Sequence, residues 1–184
     1  MRVFMGIDLP ATLKQVLCGF QAEIKDLGVK GSFKSLENFH ITLEFLGEID
    51  ASAKPLLIDV LSCVVRKHRP FLLHIGGIGA FPSFRRPHTL WTAVDGDLRE
   101  LNTLRDELHD ELENRGFVLE KRTFKPHLTI VSHPKLGVAD LSSIRTKQLG
   151  EFLVAEVILF ESKLIEGKRI YEALHTAGLP TMDP

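Results

Sequence analysis

The chain of 184 residues holds only two cysteines, one tryptophan and one tyrosine, and it carries no excess of either charge. Each scarcity removes a class of protein. Cys18 and Cys63 lack C-x-x-C spacing and are too few for a secreted disulfide scaffold, so they read as buried thiols on helices in a reducing compartment. Lys and Arg total 23 against 24 Asp and Glu, a net charge of -1, which argues against a polycation that wraps duplex nucleic acid. Apolar runs are short. The N-terminal stretch Met1 to Asp8 is broken by Asp8 and Pro10, far short of a signal peptide or membrane span. A cytoplasmic protein with no membrane partner is the expectation. No G-x-x-x-x-G-K-[ST] loop occurs, since Gly76-Gly77-Ile78-Gly79 lacks the lysine, and no G-x-S-x-G elbow is present.

What the chain does have is a repeated tetrad. His40-Ile41-Thr42-Leu43 returns as His127-Leu128-Thr129-Ile130, and Phe39 and Phe124 precede the two copies. Each tetrad sits in a strand-like apolar run whose period of two sends histidine and threonine to one face and the branched residues to the other. One copy alone is an ordinary half-exposed strand. Two copies nearly half a chain apart predict one domain over 1–184, built of two pseudo-symmetric lobes that each contribute one motif to a shared cleft.

Length supports one sizeable core or two sublobes sharing one. Helices are expected where apolar residues recur every three or four positions. These are Leu13 to Leu27, Leu57 to Val64 behind Asp50-Ala51-Ser52, and Leu98 to Leu112 behind Asp95-Gly96-Asp97. Strands are expected at Val3–Asp8, His40–Phe45, Phe71–Ile75, Thr89–Val94 and His127–Val131. One strand is expected over Phe152–Phe160, with Ile170–Leu174 pairing back across Glu166-Gly167-Lys168. Gly76, Gly77 and Gly79 mark a loop.

Imidazole titrates near neutrality, so of two histidines flanking one phosphorus one can accept a proton while the other donates one. A threonine two residues along the same face can donate its hydroxyl to a phosphoryl oxygen. The four side chains together describe a phosphodiesterase centre that needs no metal or other cofactor. A metal site is the competing reading. Glu44 shares the parity of His40, but zinc usually wants three or four protein ligands. Phe84, Arg85 and Arg86 form a loop in which an aromatic beside two cations can meet base and backbone together, whereas Trp91 is expected in the core.

With these residues on view, the chain resembles the 2H phosphoesterase superfamily. Within it, the likeness is closer still to the RNA 2',3'-cyclic phosphodiesterases formerly called 2'-5' RNA ligases. The likeness extends from Phe39–Glu48 through Gly77–Pro82, Arg86-Pro87, Leu90-Trp91 and Phe124–Thr129 to Glu161–Leu164, Gly167 and Ile170-Tyr171. It implies an α+β, bilobal fold with two antiparallel sheets flanking a central cleft and helices outside. It also implies hydrolysis of an RNA 3'-terminal 2',3'-cyclic phosphate to a 2'-phosphomonoester, with reversible 2'-5' ligation in vitro in some members and tRNA halves among the substrates. By the same resemblance His127 is the general base, His40 the general acid, and Thr42 and Thr129 hold the phosphate. The alternatives are an RNA-end binding module with little turnover and a phosphodiesterase for a small cyclic nucleotide. Relatives often carry an arginine shortly after the second tetrad, where this chain has Ser132 and His133.

Overall fold

The computed structural model describes residues 1–181. Nine strands and three helices of four or more residues follow in the order β1 (Arg2–Asp8), α1 (Ala11–Asp26), β2 (Lys30–Phe33), β3 (His40–Glu48), α2 (Lys54–Val65), β4 (Phe71–Phe81), β5 (Thr89–Gly96), α3 (Leu98–Asn114), β6 (His127–Lys135), β7 (Gln148–Val154), β8 (Glu156–Ile165) and β9 (Lys168–Gly178). The strands form two antiparallel sheets. One has the order β3-β1-β8-β9 and the other β2-β6-β5-β4-β7. Each sheet therefore carries one His-x-Thr-x strand, β3 in the first and β6 in the second.

The sheets do not correspond to the two halves of the chain. β2 leaves the first half to pair with β6, and β8 and β9 return from the C-terminal end to flank β1. This return corrects the expectation of one strand from Phe152 to Phe160. The run breaks at Ala155, because β7 finishes the five-stranded sheet and β8 begins its pairing in the other. The expected loop at Gly76, Gly77 and Gly79 is likewise not a loop. β4 runs through it with a bulge, where Gly77 adopts φ 70°. Gly79 makes room for its cross-strand partner, since a Cβ there would stand 2.2 Å from the Trp91 ring.

The helices form for the reasons their spacing suggests. On α3, Leu101, Leu104, Leu108 and Leu112 are fully buried, and the Asp97 carboxylate caps the first turn by accepting from the Glu100 N–H at 3.2 Å. Burying each such leucine contributes on the order of 1.5–3 kcal/mol. Asp50 caps a single 3-10 turn, Ala51–Ala53, that leads directly into α2. Nearly all buried apolar side chains belong to one cluster fed by both sheets, while Phe4, Ile158 and Phe160 form a small separate group. Among the described residues no helix is long and apolar enough to cross a membrane.

Candidate active site

Both tetrads fold as their alternation predicts. Ile41, Leu43, Leu128 and Ile130 are buried, and His40, Thr42, His127 and Thr129 are half-buried on the opposite faces. The alternation fails just after the first tetrad. The β1–β3 register steps from Thr42 to Glu44 opposite adjacent residues of β1, so Leu43 is the extra residue of a bulge. Glu44, at 4% exposure, accepts from His109 Nδ1 at 2.7 Å and from Arg105 Nη2 at 3.2 Å. Its carboxylate is thus engaged by α3 and ties that helix to the motif strand.

The two histidines are held alike. His40 Nδ1 donates to the Asn38 carbonyl at 2.8 Å, and His127 Nδ1 donates to the Lys125 carbonyl at 2.7 Å. A carbonyl can only accept, so in both rings Nδ1 carries the proton and Nε2 is left for chemistry. Each ring is also wedged between aromatics. His40 lies 4.7 Å from Phe4 and 4.9 Å, edge-on, from Tyr171; His127 lies 4.8 Å, edge-on, from Phe81 and 6.2 Å from Trp91. Trp91, expected in the core, is half-buried and belongs to the setting of His127.

The surroundings differ in depth. Burial pushes the His40 pKa down to about 4, with Lys34 and Lys14 adding repulsion and Asp8 opposing it. Burial also lowers the His127 pKa, helped by the Arg122 charge. His40 Nε2 is engaged by Thr42 Oγ1 at 3.0 Å; with the ring neutral, the hydroxyl donates. Among the described residues His127 Nε2 has no such bond.

A cleft of about 950 Å³ lies between the sheets, bordered by Thr42 and Phe45 on one side and by Phe81, Phe124, His127 and Thr129 on the other. That volume suits a nucleotide-sized ligand. His40 lines an adjoining cavity of about 140 Å³, and Thr42 and Phe45 border both spaces. Arg105, Arg122 and Lys125 add cations to the large cleft, the first two already paired with Glu44 and Glu120.

The structure places His127, Thr42 and Thr129 on the cleft and His40 on the adjoining cavity, which shares Thr42 and Phe45 with it. Phe84, Arg85 and Arg86 do not line it. Phe84 packs on the core with the Arg145 guanidinium 4.7 Å above its ring, while Arg85 and Arg86 are exposed. Ser132 and His133 also lie outside it; His133 turns outward at φ 50°. The sequence reading noted Phe124 before the second tetrad and Arg122 in a basic loop without placing them on the cleft wall, and it missed Arg105 there and Arg169 on the smaller cavity. For Arg169 the parity with Tyr171 on β9 was the usable signal.

The chain is 30% identical over 180 residues to the RNA 2',3'-cyclic phosphodiesterase of Methanocaldococcus jannaschii, covering 95% of this chain and 98% of that protein. Among solved structures it is similar to TT0787 of Thermus thermophilus, with TM-score 0.82, 22% identity and coverage of 97% and 98%. It is also similar to Escherichia coli LigT complexed with 3'-AMP, with TM-score 0.79, 24% identity and 98% of both chains covered. A family model, the 2'-5' RNA ligase superfamily, matches residues 23–163, and the chain belongs to that superfamily.

Proposed function

We propose that the protein hydrolyses the 2',3'-cyclic phosphate at an RNA 3' end to a 2'-phosphomonoester. The observation that carries this reading is the matched pair of histidines. Both have Nδ1 locked on a backbone carbonyl two residues back, which leaves Nε2 for chemistry, and each shares its strand face with the threonine two residues on. Relatives named RNA 2',3'-cyclic phosphodiesterase support the substrate class.

In the proposed reaction His127 Nε2 takes a proton from water as the water oxygen bonds to phosphorus. The bond from phosphorus to the 3' oxygen breaks, and that oxygen receives the proton on His40 Nε2. Thr42 and Thr129 donate to the nonbridging oxygens, where charge builds up. One proton enters on His127 and one leaves from His40, so exchange with solvent restores the starting state. His40 is mostly neutral at pH 7 in the free protein. The anionic phosphodiester favours its charged form, which gives the bound substrate a part in loading the acid.

Incubation with a short RNA ending in a 2',3'-cyclic phosphate tests the reading, with the products separated as 2'- and 3'-monophosphates. The 2'-phosphate is expected. Exclusive 3'-phosphate reverses the leaving oxygen, and no product with intact binding makes the protein an RNA-end binder. The same assay with free nucleoside cyclic phosphates separates an RNA enzyme from one for small cyclic nucleotides. Addition of a ligatable RNA with a 5'-hydroxyl, such as a tRNA half, measures 2'-5' joining.

A further inference from the structure

The small cavity beside His40 has a composition that acid–base chemistry does not require. Arg2 and Arg169, both exposed, line it together with Ser162, Tyr171, Phe4 and Phe45. Lys34 is close by. Burial and the Arg169 charge together lower its pKa, so cations are crowded here at a cost. Among the described residues no carboxylate lies within ion-pair distance of Arg2, Lys34 or Arg169, as for most other cations of the chain.

The backbone around these groups is held in place. Asn38 Nδ2 donates to the Arg169 carbonyl at 2.8 Å while its own carbonyl anchors His40, so one residue fixes both the cavity wall and the ring. The Arg2 guanidinium lies 4.8 Å over the Phe45 ring, on the wall shared with the large cleft. Ser162 and Tyr171 are cross-strand partners on β8 and β9. Burial raises the Tyr171 pKa, so its hydroxyl remains a donor at neutral pH.

Two arginines, a serine and a tyrosine lining an open space of about 140 Å³ suit one tetrahedral oxyanion. We infer that this cavity is a second phosphate subsite, which takes the phosphate on the 5' side of the terminal nucleotide while the cyclic phosphate reacts in the large cleft. The inference rests on the proposed reaction and deepens it. It makes the substrate a nucleotide chain, or a 5'-phosphorylated nucleotide, rather than a nucleoside cyclic phosphate alone. It also gives the crowded cations their counter-charge only when such a chain is bound.

The test compares kcat/KM for three substrates that share a reacting group: a nucleoside 2',3'-cyclic phosphate, its 5'-phosphorylated form, and a dinucleotide ending in the same cyclic phosphate. The two that carry a second phosphate should be favoured at least about tenfold, the lower end of what charge-assisted hydrogen bonds supply. In the Arg2→Gln/Arg169→Gln double variant, checked for a native circular dichroism spectrum and melting curve, that preference should collapse toward one. Equal use of all three substrates by the parent protein overturns the inference without any variant. So does a preference that survives in the double variant, or one for the dinucleotide with none for the 5'-phosphate. Absence of turnover on all three is the separate outcome in which the proposed reaction fails and takes this subsite with it.

Discussion

His40 and His127 occupy equivalent points of the same tetrad, share the same tautomer and meet the same kind of backbone acceptor, yet their surroundings differ. His40 is enclosed by Phe4, Tyr171 and, at 6.2 Å, Phe160, and its Nε2 is engaged by Thr42. His127 faces the large cleft, with Nε2 free of any hydrogen bond among the described residues. The difference teaches that a repeated motif sets which nitrogen works, while the depth of the surrounding sheet sets how readily it takes a proton. The open ring suits a base that must meet water. The enclosed one suits an acid that becomes charged when a phosphate anion arrives.

Removing either ring breaks the comparison most severely. His40→Ala and His127→Ala should each lower kcat at least about a hundredfold with the fold retained, and chelators should leave the parent rate unchanged. Their pH profiles should separate them. The base must be neutral, so the parent loses activity as pH falls through the His127 pKa, below 6.5, and this acid limb should vanish in His127→Ala. The acid must be protonated, so the alkaline limb should vanish in His40→Ala. In the parent that limb should lie at higher pH in kcat than in kcat/KM, because bound phosphate raises the His40 pKa. Rate measurements from pH 4 to 9 check all three statements.

Stability sharpens the same contrast. A histidine whose pKa falls from 6.5 to about 4 on folding gives its full contribution above pH 6.5, and the contribution is lost as pH falls from there toward 4. Urea unfolding at pH 7 and pH 4 should show the parent losing about 3 kcal/mol more than His40→Gln. Equal losses would mean that His40 is as easily protonated in the fold as out of it.

The threonines give the smallest effects. Thr42→Val and Thr129→Val should each reduce kcat about tenfold through loss of one hydroxyl donor to a charged oxygen. Only Thr42→Val should also move the alkaline limb, since only Thr42 bonds to a histidine Nε2. Steady-state rates across the pH range distinguish them.

The parts legible in the sequence were those written by periodicity. The Leu101–Leu112 stripe, the alternation within each tetrad and the turn at Glu166-Gly167 all appear in the structure as local patterning requires. What stayed hidden depended on partners far along the chain or on backbone atoms. Nothing local tells that Lys30–Phe33 crosses to the second sheet, or that the run to Phe160 must break at Ala155 to change sheets. The carbonyls of Asn38 and Lys125 have no side-chain signature. Composition marked Phe84, Arg85 and Arg86 as a contact loop, yet the fold turns Phe84 onto Arg145 and leaves Arg2 and Arg169, which come from opposite ends of the chain, beside His40.

The division of labour between two like motifs is tested most directly with an RNA end whose cyclic phosphate carries sulfur in place of the bridging 3' oxygen. A thiolate leaves without needing a proton, so the substrate spares the acid and not the base. His40→Ala should recover most of its lost rate on this substrate, and His127→Ala should recover none. Rescue of His127→Ala instead, or of both or neither, would contradict the account.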